Sequence, residues 1–247
     1  MRIVCISDTH GLHKIMDDIN PLPQGDILLH AGDCTNVGKE KEIEDFVRWF
    51  QNIKGFDTKI FIAGNHDFGF ENYNGVRHSN EAPWLHHILN EENLSQSDVV
   101  YLHDSEFTIK SPEFSRPIKF YGSPWQPEFY NWAFNLPRNG TELELKWKNI
   151  PNDTDILITH GPPHGIRDFT PQNLQVGCEL LMFRVEQLNP LIHIFGHIHY
   201  AHGAAYIKDT LFVNASTCNE RYVPSNKPIV IELTEYEGEI VATYVEE

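Results

Sequence analysis

The fold class is decided by residues 3–10, which read IVCISDTH. The first four are apolar and form a run short enough for a buried β-strand, and polar residues follow without a break. The same arrangement recurs at residues 26–33 (DILLHAGD) and at residues 59–67 (KIFIAGNHD). Between these two stretches, apolar residues recur at helical spacing over residues 39–54. Strand, helix and strand in this order predict parallel strands joined by right-handed crossovers.

Similar patterns continue towards the C-terminus. Buried strands are predicted at residues 155–159 and 192–195, with a helix over residues 177–187. Alternating apolar residues then predict antiparallel strands at residues 205–208, 211–214, 229–233 and 240–244, with a hairpin turn at Glu237 and Gly238. The middle of the chain is harder to interpret, but residues 99–102, 107–109 and 118–121 indicate short strands of a second sheet. Because neither repeats nor linkers interrupt this order, we expect one domain over residues 1–247.

The charge balance limits the partners of such a domain. Acidic residues number 35 against 19 basic residues, which gives a net charge of −16. A surface this negative disfavours non-specific binding to nucleic acid or to an anionic membrane, although bound divalent cations could reverse the sign locally. No apolar run approaches the roughly 20 residues of a membrane span. The four cysteines lack paired spacing, so we expect a reducing compartment, the cytoplasm, and no disulfide scaffold.

Polar side chains follow five of the predicted strands, at the point where each strand ends. They are Asp8 and His10, Asp33, Asn65 and His66, His160, and finally His197 and His199. Strands of a parallel sheet collect their carboxyl ends at one edge, so these side chains are expected to meet. Carboxylate, imidazole and amide groups suit divalent ions such as Mn²⁺, Fe²⁺, Ni²⁺ or Zn²⁺. Each pair alone is weak evidence for metal binding, and residues 64–67 could form a simple turn. The ordered set of five nevertheless predicts one metal site.

The ordered blocks resemble the signature of calcineurin-like metallophosphoesterases. These blocks are residues 8–10 (DTH), 32–33 (GD), 64–67 (GNHD), 159–161 (THG) and 196–199 (GHIH). A closer resemblance, to the small metallophosphoesterase-domain proteins of vertebrate brain and their microbial relatives, rests on residues 121–127 (YGSPWQP), 132–135 (WAFN), 159–163 (THGPP) and 214–219 (NASTCN). The resemblance implies a four-layer α-β-β-α sandwich in which helices flank two mixed sheets.

The resemblance also implies a binuclear metal centre. It assigns the first ion to Asp8, His10, Asp33 and His199, and the second to Asp33, Asn65, His160 and His197. Mn²⁺ is the favoured metal, with Fe²⁺, Ni²⁺, Zn²⁺ and Mg²⁺ as other candidates. Such a pair of ions serves phosphate-ester hydrolysis by metal-activated hydroxide attack. Because His197 is retained here and is replaced in some inactive vertebrate relatives, we expect an active enzyme.

His66 follows a metal ligand but, in the family, does not bind metal. We expect His66 to protonate the departing oxygen, with Asp67 fixing its tautomer. Among the other histidines, His30 and His193 lie within strands and are interpreted as core residues or as groups that support the metal ligands. His164 and His202 are candidates for the substrate pocket.

The aromatic loop of residues 125–134 is the candidate for substrate contact. Trp125, Phe129, Tyr130 and Trp132 could supply a face on which a nucleobase stacks. Alternatively these aromatic residues fill a gap between the sheets, and of the four Trp132 is the one expected in the core. The resemblance implies a phosphodiesterase for small nucleotide-type substrates such as cyclic nucleotides, with AMP or phosphate as product ligands. Two alternatives stay open: a nucleotide monophosphate-binding sensor or scaffold with little turnover, and a phosphomonoesterase. The sequence does not determine the oligomeric state.

Overall fold

The computed structural model describes residues 1–71, 88 and 98–246. Along the described chain, the elements are β1 (Arg2–Ile6), α1 (His13–Ile19), β2 (Ile27–Ala31), α2 (Glu40–Asn52), β3 (Thr58–Ile62), α3 (Phe68–Glu71), β4 (Val99–Tyr101), β5 (Ser105–Ile109), β6 (Ile118–Ser123), β7 (Gln126–Pro127), β8 (Asn135–Leu136), α4 (Thr141–Lys148), β9 (Ile156–Thr159), α5 (Glu179–Leu188), β10 (Ile192–Phe195), β11 (Gly203–Ile207), β12 (Thr210–Asn214), β13 (Ile229–Tyr236) and β14 (Glu239–Val245). A 3₁₀ turn covers His199–Ala201.

Two mixed six-stranded sheets contain most of these strands. The first sheet has the order β14-β13-β1-β2-β3-β4, and the second has the order β11-β12-β10-β9-β6-β5. In the first sheet, β1 to β4 are parallel, as the crossovers predict, and β13 joins β1 antiparallel. In the second, β6, β9, β10 and β12 are parallel, with antiparallel strands at both edges. The carboxyl ends of the parallel strands therefore supply one edge of each sheet.

Four layers follow from the alternation of side chains along the strands. In β1, Ile3 and Cys5 face the second sheet and join the core between the sheets, whereas Val4 and Ile6 pack on the outer side. Helices α1 and α2 cover that outer face of the first sheet. Helices α4 and α5 cover the outer face of the second sheet. This arrangement confirms the α-β-β-α sandwich.

Helix α2 shows why the helical spacing was informative. Ile43, Phe46, Val47 and Phe50 recur every three or four residues and are all buried against the first sheet. Full burial of each such side chain contributes about 1.5–3 kcal/mol. At the C-terminal end, the buried Lys59 donates to the Gln51 and Ile53 carbonyls at 2.8 and 3.2 Å. These bonds satisfy carbonyl groups that the helix itself leaves free.

The middle of the chain departs from the sequence expectation in one pairing. The three predicted strands there are present, but β4 pairs parallel with β3 and belongs to the first sheet rather than to the second. A three-residue strand carries too little pattern to reveal its neighbour.

Helices α1 and α4 were not predicted, since helices of seven and eight residues give little periodicity. His78, His86 and His87 lie outside the described residues.

Two further observations concern the whole described chain. All four cysteines are buried and free, as expected. None of the described helices combines the length and apolar character that crossing a membrane requires.

Candidate metal centre

All seven expected metal ligands meet where β1, β2 and β3 of one sheet and β9 and β10 of the other end. Within the described residues, three groups place their ligand atoms within 4.8 Å of one another: Asp8, His10 and His199; His10, Asp33 and His66; and Asp33, His160 and His197. The amide oxygen of Asn65 lies 2.9 Å from His160 Nε2 and adds the remaining expected residue. The strand ends therefore assemble one continuous cluster of possible ligands.

Asp33 lies at the centre of this cluster. Its Oδ1 accepts a hydrogen bond of 2.8 Å from the His66 backbone N–H, which holds the carboxylate in place. Its Oδ2 lies 3.3 Å from His160 Nε2 and 3.9 Å from His10 Nε2. One carboxylate oxygen thus faces an imidazole from each side of the cluster, which is the position that a bridging ligand requires.

Backbone conformation at the cluster is unusual. The φ values of Asp8, His10, Asp33 and His197 are 51°, 44°, 54° and 65°. They lie in the left-handed region that residues other than glycine rarely adopt. Each costs of order 1 kcal/mol or more and persists only where the surroundings hold it. Tight packing is visible at Gly64, where an added Cβ would overlap the Asp33 carboxylate. The turns after these strands are therefore shaped to bring ligand atoms together.

Two histidine rings have their orientation fixed by backbone carbonyls. His160 Nδ1 donates to the Ala31 carbonyl at 3.0 Å, and His199 Nδ1 donates to the Asn219 carbonyl at 3.0 Å. Each ring then directs Nε2 towards the cluster. His199 Nε2 lies 3.1 Å from His10 Nε2 and 3.3 Å from Asp8 Oδ1. These distances are favourable only where a proton or a metal cation lies between the atoms.

The titration behaviour of the cluster indicates the same need for positive charge. Burial alone would lower the pKa of His160, but the attraction of Asp33 outweighs burial and raises this pKa to about 9. Burial would raise the pKa of Asp8, yet hydrogen bonding and attraction from His199 hold it well below its usual range. Burial lowers the pKa of His10 to about 4. The two carboxylates thus draw positive charge into the cluster, and divalent cations would supply that charge when bound.

Asp8 is held by several donors besides the imidazoles. The backbone N–H of His197 lies 3.0 Å from each of its carboxylate oxygens. The hydroxyls of Ser216, at 2.9 Å, and of Ser7 donate to Oδ2. Residues from both sheets therefore fix this carboxylate before any ligand binds.

The expected pairing of His66 with Asp67 is wrong. His66 Nδ1 donates to the Asn36 carbonyl at 2.7 Å, so this carbonyl fixes the tautomer. The Asp67 carboxylate instead accepts bonds from the backbone N–H groups of Cys34, Thr35 and Gly64 and from the Thr35 hydroxyl, at 2.6–3.1 Å. Burial raises the pKa of Asp67 to about 6. Asp67 therefore joins the loops that follow β2 and β3.

His30 and His193 are buried in the core, which confirms their interpretation from the sequence. Each lies beside a threonine next to a candidate ligand: His30 Nε2 is 2.9 Å from Thr9 Oγ1, and His193 Nε2 is 2.9 Å from Thr159 Oγ1. Burial lowers the pKa of both imidazoles to about 3, so both are neutral near pH 7.

A cavity of about 430 Å³ opens beside the cluster, and Asp33, Asn65, His66 and His197 form part of its wall. Neither Trp125 nor His164 is among the described residues that line it. Trp125 instead packs between two core clusters, and its indole donates to Asp104 at 2.9 Å. The expected substrate contacts of Trp125 and His164 therefore find no support in the lining of this cavity and stay predictions.

Two aromatic residues lie against the cluster, and of these only Tyr222 was not named from the sequence. The half-buried Trp132 stacks on His66 with ring centroids 4.0 Å apart, so its placement in the core was wrong. The half-exposed Tyr222 lies 4.8 Å from the His10 ring and 5.2 Å from the His199 ring. Tyr222 follows the block of residues 214–219 by three positions, which was the signal available for finding it.

A layered two-sheet fold with carboxylates and imidazoles gathered at its strand ends defines the class of metal-dependent phosphoesterases. Residues 1–201 match the calcineurin-like phosphoesterase family, and the chain belongs to that family. It is 42% identical to the human metallophosphoesterase domain-containing protein 1, over 94% of this chain and 71% of the human protein. A Caenorhabditis elegans relative is 34% identical over 94% of this chain and 60% of its own length.

Solved structures show the same fold at lower identity. One crystal structure aligns with a TM-score of 0.63 and 16% identity over 98% of both chains. The phosphopantetheinyl hydrolase from Mycobacterium tuberculosis aligns with a TM-score of 0.53 and 15% identity, over 98% of this chain and 95% of that chain. At these identities, the similarity concerns the fold alone.

Proposed function

We propose that this chain is a di-metal phosphodiesterase for small nucleotide-type substrates, such as cyclic nucleotides and related phosphodiesters. The observation that carries the proposal is Asp33, whose Oδ2 faces His10 on one side and His160 on the other. A shared carboxylate between two sets of nitrogen and oxygen ligands suits two neighbouring divalent ions. The proposed domain covers residues 1–247, because β13 pairs with β1 and makes the C-terminal strands part of the first sheet.

In this proposal, the cluster holds one ion on each side of Asp33. Asp8, His10 and His199 complete the first site, and Asn65, His160 and His197 complete the second. When bound, a pair of divalent ions acidifies a water and neutralises charge on the phosphoryl group. Mn²⁺ is the proposed metal, since mixed oxygen and imidazole ligands suit borderline cations.

His66 is the proposed proton donor to the departing oxygen. Because its Nδ1–H is engaged by the Asn36 carbonyl, the ring donates from Nε2 when it is doubly protonated. The stacked Trp132 and the edge of the His10 ring, 4.5 Å away, restrict its rotation. The structure therefore supports a fixed acid at the wall of the cavity.

The cavity supports a small substrate. Its volume of about 430 Å³ is that of an ordinary small-molecule site. Phe129 and Tyr222 line it with aromatic surface on which a base could stack. The net charge of −16 disfavours a long nucleic acid as substrate. AMP and phosphate are the proposed product ligands.

The test is hydrolysis of bis-p-nitrophenyl phosphate and p-nitrophenyl phosphate by metal-stripped protein as Mn²⁺ is added back. We expect Mn²⁺-dependent activity that is stronger on the diester and is lost in Asp33→Ala. A preference for the monoester would replace the diesterase by a phosphomonoesterase. Bound Mn²⁺ and AMP without turnover of either compound would contradict hydrolysis and favour a nucleotide sensor.

A further inference from the structure

Gln126 carries an unused hydrogen-bond acceptor in the wall of the cavity. It is 2% exposed and lies in the short strand β7. Its Oε1 is buried without a hydrogen-bond partner among the described residues. Gln126 lines the same cavity as Asp33, Asn65 and His197. A buried acceptor with no donor is costly, so a donor supplied by a ligand would be strongly favoured.

The orientation of the Gln126 amide is fixed by a neighbouring asparagine. Asn135 Nδ2 donates to the carbonyls of Phe129 and Tyr130 at 3.3 and 2.8 Å, because only the NH₂ group can pair with two carbonyl oxygens. Asn135 Oδ1 then faces the Phe129 backbone N–H at 3.2 Å and Gln126 Nε2 at 3.4 Å. The nitrogen of Gln126 is therefore directed at Asn135, and the oxygen remains available as an acceptor.

A notch beside Gly161 gives this oxygen room for a partner. Apart from its two chain neighbours, a Cβ placed on Gly161 would meet, within 4 Å, only Gln126 among the described residues: its Cβ at 3.7 Å and its Oε1 at 4.0 Å. Gly161 also lines the cavity and directly follows His160. The φ of Gly161 is not positive, so the backbone conformation does not require glycine at this position. The missing side chain instead leaves space next to the cluster.

We propose that Gln126 determines specificity by accepting a hydrogen bond from a hydroxyl or N–H group on the organic part of a phosphate ester. The donor occupies the notch between Gln126 and Gly161 while the phosphoryl group lies at the cluster. Ionised phosphoryl oxygens are acceptors and would repel Oε1, so the phosphate itself is not the partner. This assignment rests on the proposed function, since it names a feature of the substrate for the same site.

Binding rather than turnover gives the test. Calorimetry with Mn²⁺-loaded protein compares AMP, which carries hydroxyl and amino donors, with phenyl phosphate, whose organic part carries none. Gln126→Met keeps the length of the side chain and removes the acceptor. We expect this variant to bind AMP about tenfold more weakly and to bind phenyl phosphate as tightly as the wild type does. The proposal would be overturned if the variant lost affinity equally for both ligands or for neither. It would also be overturned if the wild-type protein bound AMP no more tightly than phenyl phosphate.

Gly161→Ala provides a second variant that does not depend on altering Gln126. The added methyl makes ordinary contacts of 3.7 and 4.0 Å, so the fold is expected to be unchanged, yet it fills the notch. It should also weaken AMP selectively, and unchanged AMP binding would overturn the notch as the site. Because the readout is binding, selective weakening of AMP binding in a protein that hydrolyses no diester would remove the proposed activity and still support the role of Gln126.

Discussion

Replacing His66 by alanine separates proton donation from metal binding. The ring is 8% exposed, its Nδ1–H is held by Asn36 at 2.7 Å, and Trp132 stacks on it at 4.0 Å, so it is positioned in advance. A positioned general acid contributes about 10²–10⁴ in rate, or about 2.7–5.4 kcal/mol of barrier. We expect a loss of this size for diesters with alkoxide leaving groups. For p-nitrophenolate, which departs without a proton, we expect a loss below about tenfold.

The assay compares kcat for an alkyl p-nitrophenyl diester and for a dialkyl or cyclic diester, in wild type and in His66→Ala. Metal content is measured in parallel and should remain two ions per chain in both proteins. His202→Ala is the matched control, since His202 faces the Lys227 carbonyl at 3.1 Å rather than the cavity. Equal losses with both leaving groups would refute proton donation and make His66 a substrate-positioning residue. Loss of metal from His66→Ala would instead make it a ligand.

Trp132→Leu removes the ring stacked on His66 and should lower kcat/KM about tenfold. The control Trp125→Phe alters a residue that does not line the cavity and should leave kcat/KM unchanged. Similar kinetics for the two variants would contradict the assignment of Trp132 to the site. The metal-free protein should lose stability as the pH falls from about 6.5 towards 3. His193, whose pKa burial lowers to about 3, stays neutral when folded but becomes protonated when unfolded. This histidine contributes about 1.4 kcal/mol per pH unit in that window. His193→Leu should reduce the pH dependence of urea unfolding by that amount, and an unchanged slope would show that His193 is not buried as a neutral imidazole.

The ligand cluster was predictable because its signal is local. Each apolar run ends in polar residues, and parallel pairing of β1, β2 and β3 brings those ends to one edge whatever the details of packing. The same logic holds for β9 and β10. The fold class followed from the same runs together with the family resemblance. The pairing of β4 with β3 was not predictable, because a strand of three residues carries too little pattern to identify its neighbour.

The partners of His66 and the wall of the cavity were not predictable in the same way. The Asn36 group that binds His66 is a backbone carbonyl, which any residue would supply. Asp67 is next to His66 in sequence, but its carboxylate is occupied by backbone N–H groups of the neighbouring loop. Trp125 and Trp132 lie in one aromatic loop, yet Trp132 stacks on His66 whereas Trp125 packs between two core clusters. Such loop paths depend on contacts that periodicity does not record.

The number of Mn²⁺ ions bound per chain tests the shared role of Asp33 most directly. Equilibrium dialysis followed by elemental analysis should give two ions for the wild type. Asp8→Ala should keep one, because the site of Asp33, Asn65, His160 and His197 stays intact. Asp33→Ala should bind less than one ion, since both sites lose a ligand. Two ions in Asp33→Ala, or a single ion in the wild type, would contradict a binuclear centre that shares Asp33.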